Sequence, residues 1–292
     1  MVELKVYING QIVPRSEAKV SVWDSGFQSG DSVYEGIRVY DGKALQLKEH
    51  IRRLYDSAHA IGIKVDMPTS DAAQAVLDTL KANNLYDGAH VRITLTRGIK
   101  PITGMDPELA REAKPLLVII AEPKEPSFPK TGITLVTSSV RRMSPECLDP
   151  KIHSCNQLGQ ILAKFEANNA GASEALMLDV HGFVAETNSA NFFIVRDDVI
   201  RTPRRNSCLN GLTRAWVIRN APQHCEGAFE DDISLTDVYT ADEAFICGTI
   251  CEIVPVVQVD GRTIGSGRPG EVTQAIAAAY DRYAHSSGVP LA

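Results

Sequence analysis

Apolar and polar residues alternate in LKVYINGQIVP (4–14) on both sides of Asn9-Gly10, and again in GIRVYDGKALQL (36–47) on both sides of Asp41-Gly42. A period of two across an Asn-Gly or Asp-Gly pair predicts two β-hairpins. The spacing then changes to that of a helix. Leu47, Ile51, Leu54, Ala58 and Ile61 form one apolar stripe, and Ala72, Val76, Leu77 and Leu80 form a second, so two helices are expected to cover one face of the sheet. HVRITLT (90–96) and LLVIIA (116–121) supply two more strands, the second apolar enough to be expected buried on both faces.

The pattern breaks at AEPKEPSFPKTG (121–132), where prolines cluster and apolar content drops. This predicts a small N-terminal domain at 1–121, a linker at 122–132 and a larger C-terminal domain at 133–292. Beyond the linker come short strands (ITLVTS, EALMLD, FFIV, AFIC, EIVPVVQV) and helical segments at 156–170 and 212–220, so the second lobe reads as α+β with a curved sheet. Within 292 residues there is room for two lobes with a cleft between them. No internal repeat points to a solenoid.

Composition narrows the classes. Hydrophobic residues at 44% and charged residues at 23% are those of an ordinary globular protein, and a net charge of −6 with scattered cations argues against nucleic acid as a partner. The six cysteines form no CxxC pair and lack zinc-type spacing, so no metal site is expected and the thiols read as reduced. The chain opens on a strand pattern rather than a basic and apolar leader, and no apolar run reaches membrane-spanning length. A cytoplasmic protein with no membrane partner is the expectation.

The chemistry centres on Lys151 in DPKIHSCNQLGQILAK. A lysine attacks a carbonyl only when its amine is partly neutral, which needs an apolar or cationic setting. Arg141 and Arg142 upstream and Leu158, Ile161, Leu162 and Phe165 downstream predict such a setting, with the amine buried at the cleft. Glu186, in FVAETNSANFF, is flanked by Phe183, Val184, Phe192 and Phe193, and a carboxylate drawn inward needs a cation, which a protonated pyridine nitrogen would be. Asn210-Gly211-Leu212-Thr213 precedes a helix whose free amides can hold an anion, and Gly248-Thr249 offers a second turn. Arg53 shares a helix face with His50 and Ser57 and is a third anion donor. Taken singly, each has an ordinary reading as a surface lysine, a structural ion pair, a helix cap, a turn or a solvated face. Gly265, Gly267 and Gly270 match GxGxxG, but they follow a proline-containing strand and leave too little chain for a dinucleotide-binding unit.

DSVYEGIRVYDG, HIRRLYDSA, Lys151, ETNSANFF, GLTR and CGT, in this order, resemble the successive blocks of the class IV aminotransferases, the fold-type IV pyridoxal phosphate enzymes. The resemblance runs nearly end to end and implies an α+β, two-domain enzyme with a small N-terminal α/β sandwich and a larger C-terminal pseudo-barrel. It implies pyridoxal 5'-phosphate bound as an internal aldimine by Lys151, which then shuttles the substrate proton, with Glu186 on the pyridine nitrogen. Arg53, Leu212, Thr213, Gly248 and Thr249 would hold the phosphate, and a homodimer is expected. YEGIR (34–38) and Arg92 are similar to the branched-chain aminotransferases, which implies a pocket lined by Tyr34, Arg38, His90, Arg92 and Ile250. Such a pocket would transfer the amino group of an aliphatic, branched-chain L-amino acid to a 2-oxo acid such as 2-oxoglutarate by ping-pong chemistry. His90 and Gln157 stand where that subfamily has tyrosines, and TRGIK (96–100) and ILAKFEA (161–167) look more like D-amino-acid or (R)-amine transaminases. Those are the alternative, with an aminodeoxychorismate lyase third. A cofactor-holding protein without catalysis would lack a use for Lys151 and Glu186.

Overall fold

The computed structural model describes residues 3–291. Two compact units emerge, one made of residues up to Glu125, Ile152–Asn156 and residues from Ala284 on, the other of Pro126–Lys151 and Gln157–Tyr283. The change of unit at Glu125/Pro126 falls inside the proline-rich segment. Two later stretches nevertheless return to the first unit, which a linear division of the chain does not anticipate.

In the first unit, β1 (Lys5–Ile8) and β2 (Gln11–Pro14) form the first hairpin, and β3 (Ser32–Tyr40) and β4 (Lys43–Ala44) form the second. Their turns place Asn9 at φ 40° and Gly10 at φ 90°, and Asp41 at φ 47° and Gly42 at φ 74°. Positive φ at both central residues is what a twisted two-residue hairpin requires, and Asn, Asp and Gly tolerate it best. With β5 (Ala89–Thr96), β6 (Leu116–Pro123) and the C-terminal strand Val289–Pro290 they build a seven-stranded sheet. Its order is Val289–Pro290, β4, β3, β5, β6, β1, β2. The short helix α1 (Ser25–Ser29) is capped by Asp24, while α2 (Leu47–Ala60) and α3 (Thr69–Ala82) cover one sheet face. Val33, Ile37, Ile93, Leu95 and Ile119 meet Ile51, Leu54 and Leu80 there. Each such fully buried side chain contributes roughly 1.5–3 kcal/mol.

The expectation that the 116–121 strand is buried on both faces is not met. Leu117, Ile119 and Ala121 face the helices, whereas Ile120 is 42% exposed on the opposite face. Both helices pack on one side, so period-two geometry leaves alternate residues outside. On that side lie Tyr34, Gly36 and Arg38 of β3 opposite Thr94, Arg92 and His90 of β5. The returning stretch Ile152–Asn156 runs along the edge of β3, where the Tyr34 amide donates to the His153 carbonyl and the Cys155 amide to Ser32 O, each at 2.9 Å.

The second unit holds β7 (Ile133–Thr137), α4 (Leu158–Asn169), β8 (Glu174–Leu178), β9 (Val184–Thr187), β10 (Asn191–Arg196), β11 (Val199–Pro203), α5 (Leu212–Asn220), β12 (Gly227–Asp231), α6 (Leu235–Tyr239), β13 (Glu243–Gly248), β14 (Glu252–Val259), β15 (Arg262–Thr263) and most of α7 (Glu271–Ser286). Its sheet has the order β12-β11-β10-β13-β14-β7-β8-β9, with β15 paired to β14. β9 and β10 are far apart in that order, yet only three residues join them and Asn191 Nδ2 of β10 reaches Glu186 Oε2 of β9 at 3.0 Å. The sheet therefore curls, giving the curved α+β architecture. Ala163 and Ala167 of α4 pack on Ala175 and Met177 of β8, because small residues let the helix approach closely. Leu158, Ile161, Leu162 and Phe165 are left exposed, so they do not bury Lys151 as the sequence suggested. Gly265 and Gly267, at φ 51° and 72°, form the turn between β15 and α7, and a Cβ on Gly265 would lie 1.9 Å from the Asp242 carbonyl oxygen. These glycines serve close backbone approach rather than a dinucleotide. Among the described residues, no helix is long and apolar enough to cross a membrane.

Candidate active site

Glu186 is a buried carboxyl group of the second unit. It lies on β9, with Arg142 Nε at 2.7 Å and Nη2 at 2.5 Å from Oε1. Oε2 accepts from Asn191 Nδ2 at 3.0 Å and from the Leu209 amide at 3.2 Å. Four donors therefore converge on this buried carboxyl group. Arg142 and Asn191 were not singled out as its partners in the sequence. Arg142 had been expected to serve Lys151, but strand pairing of 133–137 with 174–178 carries it to Glu186 instead.

Lys151 is exposed. Its amide donates to Asp149 Oδ1 at 3.0 Å and its Nζ lies 2.8 Å from Asp149 Oδ2, so one carboxylate two residues back holds both ends of the lysine. This corrects the buried, cation-flanked setting expected from sequence. Arg141 turns away to the Ser138 and Ser139 carbonyls, and the large apolar side chains of α4 point outward. The DPK triplet carried the only local sign of the Asp149 contact, an Asx-type turn.

The α5 N-terminus is bound to the Glu186 cluster. Gly211 precedes Leu212 and Thr213, the first two residues of the helix, and no side chain caps it. The first-turn amides therefore point outward, with the positive end of the helix dipole behind them. A Cβ on Gly211 would come within 2.0 Å of Asn191 Oδ1, so glycine is required by that contact rather than by its φ of −61°. Gly211→Ala should push Asn191 off Glu186 and cost about 1–3 kcal/mol of stability, measured by urea unfolding; an unchanged midpoint would show that Asn191 is not constrained. Thr213 is buried, its hydroxyl 3.3 Å from the Tyr280 hydroxyl. Gly248, Thr249 and Ile250 form the half-exposed turn between β13 and β14, with Cys251 Sγ 3.3 Å from where a Gly248 Cβ would sit.

The first unit contains a second cluster. Arg53, with His50 and Ser57 on the same face of α2, pairs with Glu35 through Nε at 2.6 Å and Nη2 at 2.8 Å. Tyr34 lies between two flat groups, the Arg92 guanidinium 3.7 Å from its ring centre and the His153 ring at 4.0 Å. Arg92 Nη2 also lies 3.8 Å from Cys155 Sγ. Arg38 and His90 are direct cross-strand neighbours, and Arg38 Nη1 donates to the Lys124 carbonyl at 2.5 Å. The His90 ring leans over Gly36, whose Cβ would meet Nε2 at 2.9 Å. Glu35 and His153, which join Arg53 to Tyr34, were not read as site residues from sequence.

His90 carries an acid signature. Burial, reinforced by Lys124, Arg38 and Arg92, lowers its pKa from 6.5 to about 4. Between those values the unfolded chain takes up a proton that the folded chain refuses, so stability should fall as pH drops through the window, by at most about 3 kcal/mol from this group. His90→Gln should flatten the slope of the urea midpoint against pH between pH 6.5 and about 4; the same slope in both proteins would contradict it.

Comparison with known proteins places these clusters in context. The family model for amino-transferase class IV matches residues 32–259. The branched-chain-amino-acid aminotransferase-like protein 2 of Arabidopsis thaliana is 45% identical over 99% of this chain and 52% of its own length. The chain thus spans about half the length of that plant relative. The putative branched-chain-amino-acid aminotransferase of Methanocaldococcus jannaschii is 45% identical over 93% of both proteins. The D-alanine aminotransferase of Bacillus licheniformis is 34% identical over 93% of this chain and 94% of its own. Among solved structures, the branched-chain aminotransferase of Thermoproteus uzoniensis with norvaline superposes at a TM-score of 0.91, with 32% identity over 97% of this chain and 95% of its own. The branched-chain amino acid aminotransferase of Thermobaculum terrenum in its PLP-form superposes at 0.88, with 26% identity over 97% and 94%.

Proposed function

The chain belongs to the class IV aminotransferases, and from that membership we propose that it is a pyridoxal-phosphate-dependent transaminase moving the amino group of an aliphatic, branched-chain L-amino acid to a 2-oxo acid such as 2-oxoglutarate. The observation that carries the reading is the buried Glu186, bonded to Arg142 and, through Asn191 and the Leu209 amide, to the segment that leads into α5. A carboxylate for a pyridine nitrogen, beside outward amides for a phosphate, fits the two ends of this cofactor.

When bound, pyridoxal phosphate supplies an electron sink for the pair left at the substrate α-carbon. The residues do the rest. Lys151 would hold the cofactor and take and return the α-proton as general base and acid; this assignment rests on the family resemblance, because in the structure its Nζ is exposed beside Asp149 rather than in an apolar or cationic setting. Glu186 would be the partner of the pyridine nitrogen. The Leu212 and Thr213 amides, the Thr213 hydroxyl and the Gly248-Thr249 turn would hold the phosphate, with Arg53 adding a guanidinium. Tyr34, Arg38, His90, Arg92 and Ile250 receive the substrate, where Arg92 suits a side-chain carboxylate.

A D-amino-acid or (R)-amine transaminase is the second reading, supported by TRGIK, by His90 and Gln157 in place of tyrosines, and by the similarity to D-alanine aminotransferase. The test is the visible absorbance of cofactor-loaded protein with L-leucine, D-alanine or (R)-1-phenylethylamine added separately. Bleaching by L-leucine alone supports the first reading, and bleaching by either of the others instead replaces it with the second.

A homodimer accompanies this function. Leu158, Ile161, Leu162 and Phe165 make an apolar stripe along α4 that is exposed in a single chain. Light scattering should give twice the chain mass at micromolar concentration, and Phe165→Glu should lower it; a monomeric parent protein would contradict the assignment. Six free thiols support a reducing compartment, the cytoplasm.

A further inference from the structure

Asn191 is the first residue of β10 and is buried. Its Nδ2 donates twice, to Glu186 Oε2 at 3.0 Å and to the Leu209 carbonyl at 2.9 Å, and its Oδ1 lies against Gly211. One side-chain amide therefore touches the carboxylate and both ends of the run 209–211 that leads into α5. A primary amide suits this place, because its nitrogen carries two hydrogens and it brings no charge into the interior.

The Leu209 peptide is held on both sides. Its N–H donates to Glu186 Oε2 at 3.2 Å, and its carbonyl accepts from Asn191 and from the Gly211 amide, the latter at 2.8 Å. Gly211 then starts the helix, its carbonyl accepting from the Ala215 amide at 2.9 Å. Farther back along the chain, the buried Arg214 of α5 donates from Nη2 to the Pro203 carbonyl at 2.8 Å. The segment is thus pinned where it leaves β11 and again where it enters α5. Asn191 and Glu186 make the second pin, and Asn191 also holds Glu186. First-turn amides bind an anion well only when they are already aimed at it, since ordering them on binding costs affinity.

We propose that Asn191 is a positioning residue for the phosphate end of the cofactor, fixing the direction of the Leu212 and Thr213 amides through the Leu209 carbonyl and Gly211. This rests on the reading of Glu186 and of the α5 turn given above. All of these residues lie in the second unit. Asn191 itself touches neither cofactor nor substrate in this scheme.

The experiment titrates pyridoxal phosphate, and separately pyridoxal, which lacks the phosphate, into cofactor-free protein and reads both affinities from the visible band. Asn191→Ala should weaken pyridoxal phosphate about tenfold and leave pyridoxal within about twofold of the parent, because only the first ligand uses the α5 amides. At saturating cofactor kcat should stay within about threefold, since Glu186 keeps its pair with Arg142. Thr202→Val is the control. It removes another buried bond to β10, from Thr202 Oγ1 to the Phe192 carbonyl at 2.9 Å, and should leave both affinities within about twofold. If Asn191→Ala does not fold, Gly211→Ala asks the same question, because its Cβ would displace Asn191 Oδ1, and the same selective loss is expected. An unchanged affinity for pyridoxal phosphate, an equal drop for both ligands, or the same drop in Thr202→Val overturns the proposal. A parent protein that binds pyridoxal phosphate no more tightly than pyridoxal overturns the reading of the α5 turn, and one that gives no visible band overturns the transaminase reading. A parent that prefers the phosphorylated ligand, matched by Asn191→Ala, removes the positioning role alone.

Discussion

Lys151→Ala should leave no visible band when pyridoxal phosphate is added and lower transamination by about four orders of magnitude or more, because on the proposed function one substitution removes both the amine assigned to hold the cofactor and the group assigned to move the α-proton. The structure makes this a clean experiment. Lys151 is exposed and its side chain forms one surface pair, with Asp149, of a kind worth roughly 0–1 kcal/mol. The variant should therefore unfold within about 0.5 kcal/mol of the parent. Retained turnover with an unchanged melting temperature would remove Lys151 from the mechanism. A variant that does not fold would instead show that the Asp149–Lys151 turn is structural.

Glu186→Gln has two effects that can be separated. On the proposed function, loss of the carboxylate assigned to the pyridine nitrogen should reduce kcat by about 10²–10³, while cofactor affinity, assigned more to the phosphate turns, should change far less. The same substitution strips Arg142 of its counter-charge inside the protein. Breaking a buried pair costs about 3–5 kcal/mol, and because glutamine keeps one oxygen for the guanidinium the low end of that range is expected. Adding Arg142→Leu should recover most of the stability, since a buried pair replaced by apolar side chains is often neutral, but none of the rate. Recovery of both would mean that Glu186 matters only as a partner of Arg142. Normal activity in Glu186→Gln alone would point to a different partner for the nitrogen.

Local signals in the sequence account for much of the fold. Asn9-Gly10 and Asp41-Gly42 mark both hairpins because positive φ at two successive positions is tolerated by few residues. The stripes Leu47–Ala58 and Ala72–Leu80 become α2 and α3 because the apolar face and the helical period agree. Local pattern fails to give burial where it depends on what packs from afar. Ile120 and Phe165 look like core residues in their own segments and lie outside, because the covering layer is on the other face of the sheet or the contact is made by alanines.

The sequence by itself determined the order of elements and the family, and from that resemblance Lys151, Glu186, Arg53 and the two glycine turns are proposed as the groups that serve one cofactor. The blocks that carry the resemblance are short runs of residue type in a fixed order. Tertiary structure alone decided the partners: Arg142 with Glu186 rather than with Lys151, Asp149 with Lys151, Asn191 against Gly211, and Glu35 between Arg53 and His153. Most of these pairs join residues far apart in sequence, and the curl of one sheet and the edge strand of the other bring them together. No local pattern encodes such a contact, because a charge buried at one position can be satisfied by any donor that the fold carries to it.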